Sequence, residues 1–212
     1  MKKISYKNIL AAIMGVFLIG MGVAFNNSAG IGNDPIGLLY DGIRSIAGLD
    51  AKELGMVSNI FNICLIILLL FLARRYINIG TIIYVLPYGT FVSIGTFLYR
   101  YIFSLDILEV RIIASVVGCL FIYLGVAICI TIDIGVDPLT GIVLFFKDLT
   151  GKEYRIVKIM FDLTMILLGS ILGGKFGVVT LVTAFTAGPL IQFFSKQLKK
   201  LDFFITGGEV GE

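Results

Sequence analysis

The chain has 212 residues, 58% of them hydrophobic and 15% charged, with a mean hydropathy of +1.01 and a net charge of +3. A soluble domain carries roughly 45–50% apolar and about 25% charged residues, so these values exclude a water-facing globule and make the lipid bilayer the first expected partner. The chain has no His, and Cys64, Cys119 and Cys129 each lie inside an apolar run, so no His-based triad, disulfide framework, metal site or cofactor is expected.

In chain order, six segments are long and apolar enough to span as helices, which needs about 20 residues each. They are Ile9–Ser28, Leu54–Ala73, Ile79–Tyr99, Ile112–Ile132, Ile156–Gly173 and Phe176–Ser195. Helices are expected because an open strand leaves its backbone unsatisfied in lipid. The start, Met1-Lys2-Lys3 and an apolar run, imitates a signal peptide. A retained first helix is expected instead, because the run is too long and its residues recur later.

That recurrence sits at the first Asp-Pro stretch, "GIGNDPIGLLYDG" from Gly30 to Gly42, which returns as "DIGVDPLTGIVLF" from Asp133 to Phe145. A shift of 103 residues aligns Gly15 with Gly118, Ile19 with Ile122 and Gly22-Val23-Ala24 with Gly125-Val126-Ala127. It also aligns Ile31-Gly32 with Ile134-Gly135 and Asp34-Pro35 with Asp137-Pro138. Beyond the next loop the shift becomes 100, laying Ile60–Ile67 on Met160–Leu167, and then 97, laying Gly80 on Gly177. The chain therefore reads as two copies of one unit, 1–104 and 105–198, followed by a short cytoplasmic tail at 199–212. Three spans per copy is odd, so the second copy enters from the opposite face. With both termini inside, twelve of the seventeen Lys and Arg fall on inner segments, which satisfies the positive-inside rule. The expected fold is an all-α polytopic protein, six spans in an inverted 3+3 repeat, an architecture common among transporters.

Asp is a preferred N-cap and Pro suits the first helical position. Asp34-Pro35 and Asp137-Pro138, each preceded by a turning glycine (Gly32, Gly135), thus predict short helices at 35–47 and 138–150, ended near Gly48 and Gly151. These are too short to span. Two alternatives stand: interfacial connectors whose Asp residues only cap, or half-helices that dip in from opposite faces and line a pathway.

The G-x-G-x-D-P stretch at Gly30–Pro35, its partner at Gly135–Pro138 and the closing "GVVTLVTAFTAGPLIQFF" at Gly177–Phe194 resemble the YczE/YyaS/YitT family of bacterial membrane proteins. The sequence looks most like the YczE branch, because it ends soon after the sixth span, where the YitT branch usually carries a soluble domain. The resemblance implies a multi-pass protein of the bacterial cytoplasmic membrane and no established substrate.

An ionisable residue at membrane depth marks a candidate functional site. Asp162 lies near the middle of the fifth segment, and its repeat partner Asn62 near the middle of the second, with Asn59 one turn away. The expectation is that Asn62 and Asp162 face each other across the pseudo-two-fold axis and hold a cation, a proton or a polar solute. An interhelical hydrogen bond, or a pair with Lys158, is the alternative. Asn26-Asn27-Ser28 either unwinds the first helix or caps its outer end. Pro87 with Gly89, and Gly188-Pro189, are expected to kink their helices, and the repeated glycines to allow close packing.

The leading expectation is a secondary transporter or facilitator of a small polar solute or ion. The alternative is a non-transporting accessory or regulatory subunit of another complex. Enzymatic activity is not expected, since the chain lacks His, a Ser/Lys pair and a carboxylate cluster. The chain has no G-x-x-x-x-G-K-[ST] and so no ATPase of its own, and no basic aromatic-rich patch for nucleic acid.

Overall fold

A computed structural model describes residues 6–72, 74, 77, 79–103, 105, 107–132, 137–152 and 154–200. Gly135 and residues 201–212 of the predicted tail lie outside the described residues. Among the described residues eight α-helices form: α1 (Tyr6–Ala29), α2 (Pro35–Ile46), α3 (Leu54–Leu72), α4 (Ile79–Ile102), α5 (Leu108–Ile132), α6 (Pro138–Thr150), α7 (Tyr154–Ile171) and α8 (Val178–Leu198). The two short helices fall where the Asp-Pro pairs predict them. Gly151 ends α6 in the left-handed conformation, φ 67°, while Ala47 ends α2 and Gly48 follows it at φ 67°. No strand occurs among the described residues.

Among the described residues, five stretches are long and apolar enough to cross a membrane: Tyr6–Ala29, Ala51–Leu72, Thr81–Ile102, Leu108–Ile132 and Val178–Leu198. They match five of the six predicted segments. The remaining one is α7, which has 18 residues and carries Arg155, Lys158 and Asp162. The protein is a multi-pass, all-helical membrane protein. Its outer surface is apolar, with Phe71, Phe97 and Phe185 all more than 70% exposed. In water such a surface would drive aggregation; in lipid it is the surface the chain needs.

The glycines that recur in the two copies set the central packing. A Cβ added at Gly22 would stand 2.4 Å from the Gly118 oxygen, and one at Gly125 would stand 2.5 Å from the Gly15 oxygen. Gly15 therefore meets Gly125 while Gly22 meets Gly118, and the two helices run antiparallel at backbone contact. Small residues permit that approach and the dispersion gain it brings. α1 packs most extensively on α5, then on α4, and α5 in turn packs on α8. α2 lies against α7 and α3, while α6 lies against α3 and α7. Val16, Ile19, Val23, Tyr40, Leu54, Tyr88, Val92, Ile122 and Leu139 form the buried apolar core, drawn from α1 through α6.

Two expectations about the ends of α1 fail. The helix neither unwinds at Asn26-Asn27 nor uses them as outer caps. Both are buried, at 0% and 2% exposure, and Asn26 faces the α1–α5 seam. The Asn26 amide donates to the Cys119 sulfur at 3.6 Å. The end of α1 is held from outside the helix: Arg111 donates to the carbonyls of Ala29 (2.5 Å) and Gly30 (3.1 Å), satisfying acceptors that a helix end leaves bare.

Candidate functional site at the two short helix starts

Asp34 takes an extended conformation and its carboxylate accepts from the Ile36 and Gly37 N–H groups, both at 3.3 Å. Asp137 does the same for α6, accepting from the Thr140 N–H at 2.9 Å and from the Thr140 hydroxyl. Pro35 and Pro138 occupy the first helical positions, where no N–H is needed. Before α2 the chain turns at Gly32, φ 121°, where a Cβ would stand 3.0 Å from the backbone of Gly177 at the start of α8. Asn33 N–H donates to the Thr180 hydroxyl at 3.2 Å and ties this turn to α8.

α2 runs alongside the second half of α7. A Cβ at Gly169 would stand 2.8 Å from the backbone of Leu38, and one at Gly42 would stand 2.6 Å from the Gly169 oxygen. Further along, Gly173 meets Ser45. Asp34 at the other end of α2 lies within electrostatic range of Lys158 and Asp162, and acts on Cys119 and Tyr123 of α5. The C-terminal half of α2 is fixed by the fully buried Asp41, which pairs with Arg44 at 2.8 Å and accepts from the Lys175 N–H at 2.8 Å.

α2 and α4 bring together a cluster of buried tyrosines. Tyr40 and Tyr88 have ring centroids 6.2 Å apart, and Tyr84 stacks on Tyr88 at 5.3 Å. Both Asp34 and Asp137 act electrostatically on Tyr40 and on Tyr88. The tyrosine cluster is thus within electrostatic range of both short helix starts. Sequence reasoning did not single out Tyr40 or Tyr88. The available signal was a polar tip on the otherwise apolar run after Pro35 and, for Tyr88, its place in the Pro-Tyr-Gly stretch of α4.

The predicted pair of Asn62 and Asp162 does not form. The Asn62 Oδ1 accepts from the Tyr40 hydroxyl at 3.2 Å, and its Nδ2 has no partner. Asp162 pairs instead with Lys158, one turn earlier on its own helix. The reason is which neighbour faces each helix: α2 lies against both α3 and α7 and supplies Tyr40 to Asn62. Both groups are buried, at 0% and 7% exposure. Asn59 also turns away from Asn62. Its Oδ1 accepts from the Gly89 N–H in α4 at 2.8 Å, two residues beyond Pro87, whose ring disturbs the local backbone bonding. Five polar atoms near the α2 start and α3 are buried without partners when Asn27 is included: Asn27 Nδ2, both amide atoms of Asn33, Asp34 Oδ1 and Asn62 Nδ2.

A multi-pass helical membrane protein with two Asp-capped short helices packed among its long ones is the class that this fold and site define. The chain belongs to DUF6198, a family of unknown function, whose model matches residues 6–196. It is 24% identical over 196 residues to an uncharacterized protein of Haemophilus influenzae, covering 92% of this chain and 87% of that one. It is 22% identical over 181 residues to the uncharacterized protein YyaS of Bacillus subtilis, covering 85% and 89%. The YyaS match agrees with the resemblance read from the sequence. No solved structure matches the chain.

Proposed function

We propose that the protein is a secondary transporter or facilitator for a small polar solute or ion in the bacterial cytoplasmic membrane, with both termini cytoplasmic and no enzymatic activity. The observation that carries this reading is the pair of Asp-capped short helices, both within electrostatic range of the buried Tyr40–Tyr88 cluster. In this account the two halves are an inverted repeat, with α7 as the sixth span. α2 and α6 re-enter from opposite faces, as the discontinuous helices of transporters do around a midplane site. Antiparallel glycine contact between α1 and α5, and the reciprocal seating of α2 on α7 and α6 on α3, support the inversion. The charged residues of α7 support its crossing at a polar interior, since Asp162 is buried and paired.

Asp34 and Asp137 would line the pathway and Asp162 with Lys158 would border it. Asn62 would orient the α2 side through Tyr40. Asn59, Asn26 and Asn27 would act as packing groups. The test is purified protein screened for thermal stabilisation against a library of polar metabolites and salts, then flux of each hit into proteoliposomes. Uptake by the wild type that drops at least about tenfold with Asp162→Asn, at unchanged detergent stability, supports the reading. Hits that bind but never cross the vesicle wall contradict it.

A further inference from the structure

The segment Gly30–Asn33 joins α1 to α2 and lies against the start of α8. Glycines at positive φ set its turn, Gly30 at 67° and Gly32 at 121°, a region that glycine enters without the steric cost other residues meet. The chain on either side is fixed. Arg111 holds the Ala29 and Gly30 carbonyls, and Asp34 caps α2. The two stretches that carry the family resemblance, Gly30–Pro35 and Gly177–Phe194, therefore meet at this contact.

The hold on α8 is made by backbone. A Cβ at Gly177 would stand 2.2 Å from the Ile31 oxygen, and one at Gly32 would stand 3.0 Å from the Gly177 backbone. Among the described residues two hydrogen bonds cross the contact. The Val179 N–H donates to the Ile31 carbonyl at 3.4 Å, and the Asn33 N–H donates to the Thr180 hydroxyl at 3.2 Å. The first is longer than an ordinary N–H···O bond and the second is at the upper end of the range. α8 itself is the least buried of the five long apolar stretches and packs only lightly on α7.

The groups enclosed at this contact are polar and unpaired. Asn33 is fully buried, and neither its amide oxygen nor its amide nitrogen has a partner. Asp34 is 9% exposed and its Oδ1 has none either. The two lie together: the point beside Gly37 where a Cβ would stand is 2.6 Å from the Asp34 Oδ1 and 3.5 Å from the Asn33 Cβ. A bare buried donor or acceptor carries its full desolvation cost, which contact with water relieves. The closed arrangement is thus opposed by its own polar contents and held by a glycine contact and two long hydrogen bonds.

We propose that Gly30–Asn33 is a strap that lifts from the start of α8 and uncovers the Asn33 amide and the Asp34 carboxylate to water, so that the conformation described here is the closed one. The inference deepens the carrier reading and rests on it for what the strap guards, the pathway side of Asp34.

The experiment follows modification of Thr180→Cys by a small charged methanethiosulfonate in full-length protein in nanodiscs, with Cys64, Cys119 and Cys129 replaced by Ser. Thr180 is fully buried beneath the strap bond. Asp50→Cys at an exposed position and Val16→Cys in the core set the two limits. Position 180 should react at least about tenfold slower than position 50 and at least about tenfold faster than position 16, as local opening without global unfolding requires. Adding Gly177→Ala, which presses on the Ile31 oxygen, should speed the reaction several-fold. Adding Asn33→Leu, similar in size and apolar, should slow it several-fold and raise the unfolding midpoint, whereas Asn26→Leu, which loses the Cys119 contact, should lower the midpoint. A rate at position 180 no faster than at position 16 overturns the proposal. So does a rate that Asn33→Leu leaves unchanged or raises, and that arm decides the matter if Gly177→Ala fails to fold. The labelling needs no transport assay: opening at position 180 without solute or ion flux upholds the strap and overturns the carrier reading, and flux with position 180 closed does the reverse.

Discussion

The two short helices start alike and are seated differently. α2 and α6 each open on Asp-Pro with the Asp side chain on the first N–H groups. α2 then lies at backbone contact on α7, through Gly42 and Gly169, and beside a charged Lys158–Asp162 pair. α6 lies against α3, where the positions matched by the repeat are Ser58 and Asn62, both neutral. Tyr40 of α2 is matched by Val143 of α6. What the halves share is scaffold: caps, starting prolines and glycine seams. What they do not share is charge and hydrogen bonding, and that is where the proposed chemistry sits. A structural duplicate has no need of an ionic pair on one side only.

The largest expected effect tests that asymmetry. Lys158→Leu leaves Asp162 buried without its partner. The cost should approach about 3 kcal/mol, the low end for breaking a buried pair, because Lys158 is partly exposed. The double change Lys158→Leu with Asp162→Leu should recover most of it, while Ser58→Ala at the matched position should change the unfolding midpoint little. Equal losses at 58 and 158 would break the comparison. Next comes the shared seam. Gly22→Ala and Gly125→Ala should each cost about 1–3 kcal/mol by overpacking, and by similar amounts, in detergent unfolding. A large difference would mean that the halves do not bear the α1–α5 contact equally.

Smaller again are the caps. Asp34→Ala and Asp137→Ala should each lose about 0.5–2 kcal/mol, and the Asn variants should regain most of it. Solute or ion uptake should fall with Asp34→Asn even though stability returns; unchanged uptake would reduce both Asp residues to caps. The smallest change is Arg111→Gln. It removes the cation that holds the end of α1, an interaction on the order of 0.3–1 kcal/mol, visible as a lowered midpoint that high salt narrows.

Much of this scaffold is legible in the sequence, because its causes are local. Apolar length sets the helices, Asp-Pro sets the starts of α2 and α6, and the repeated glycines at 15, 22, 118 and 125 anticipate a close seam. The site is less legible, because spacing along one helix does not say which neighbour faces it. Asn62 and Asn59 lie one turn apart, yet one meets Tyr40 of α2 and the other the Gly89 N–H of α4. Asn26 reads as an end cap because amides often are; its burial follows from Gly118 opposite, where the missing side chain makes room for it. Arg111 capping α1 across 82 residues of chain leaves no local mark.

The central claim is that the two Asp-bearing helices enter from opposite faces. It is tested most directly by labelling single cysteines placed beside the two short-helix ends, Asp50→Cys and Lys152→Cys, in a background with Cys64, Cys119 and Cys129 replaced by Ser. A membrane-impermeant maleimide applied to intact cells should label position 50 and reach position 152 only after the membrane is opened. Labelling of both positions from the same side, in intact cells or in inverted vesicles, would contradict the account.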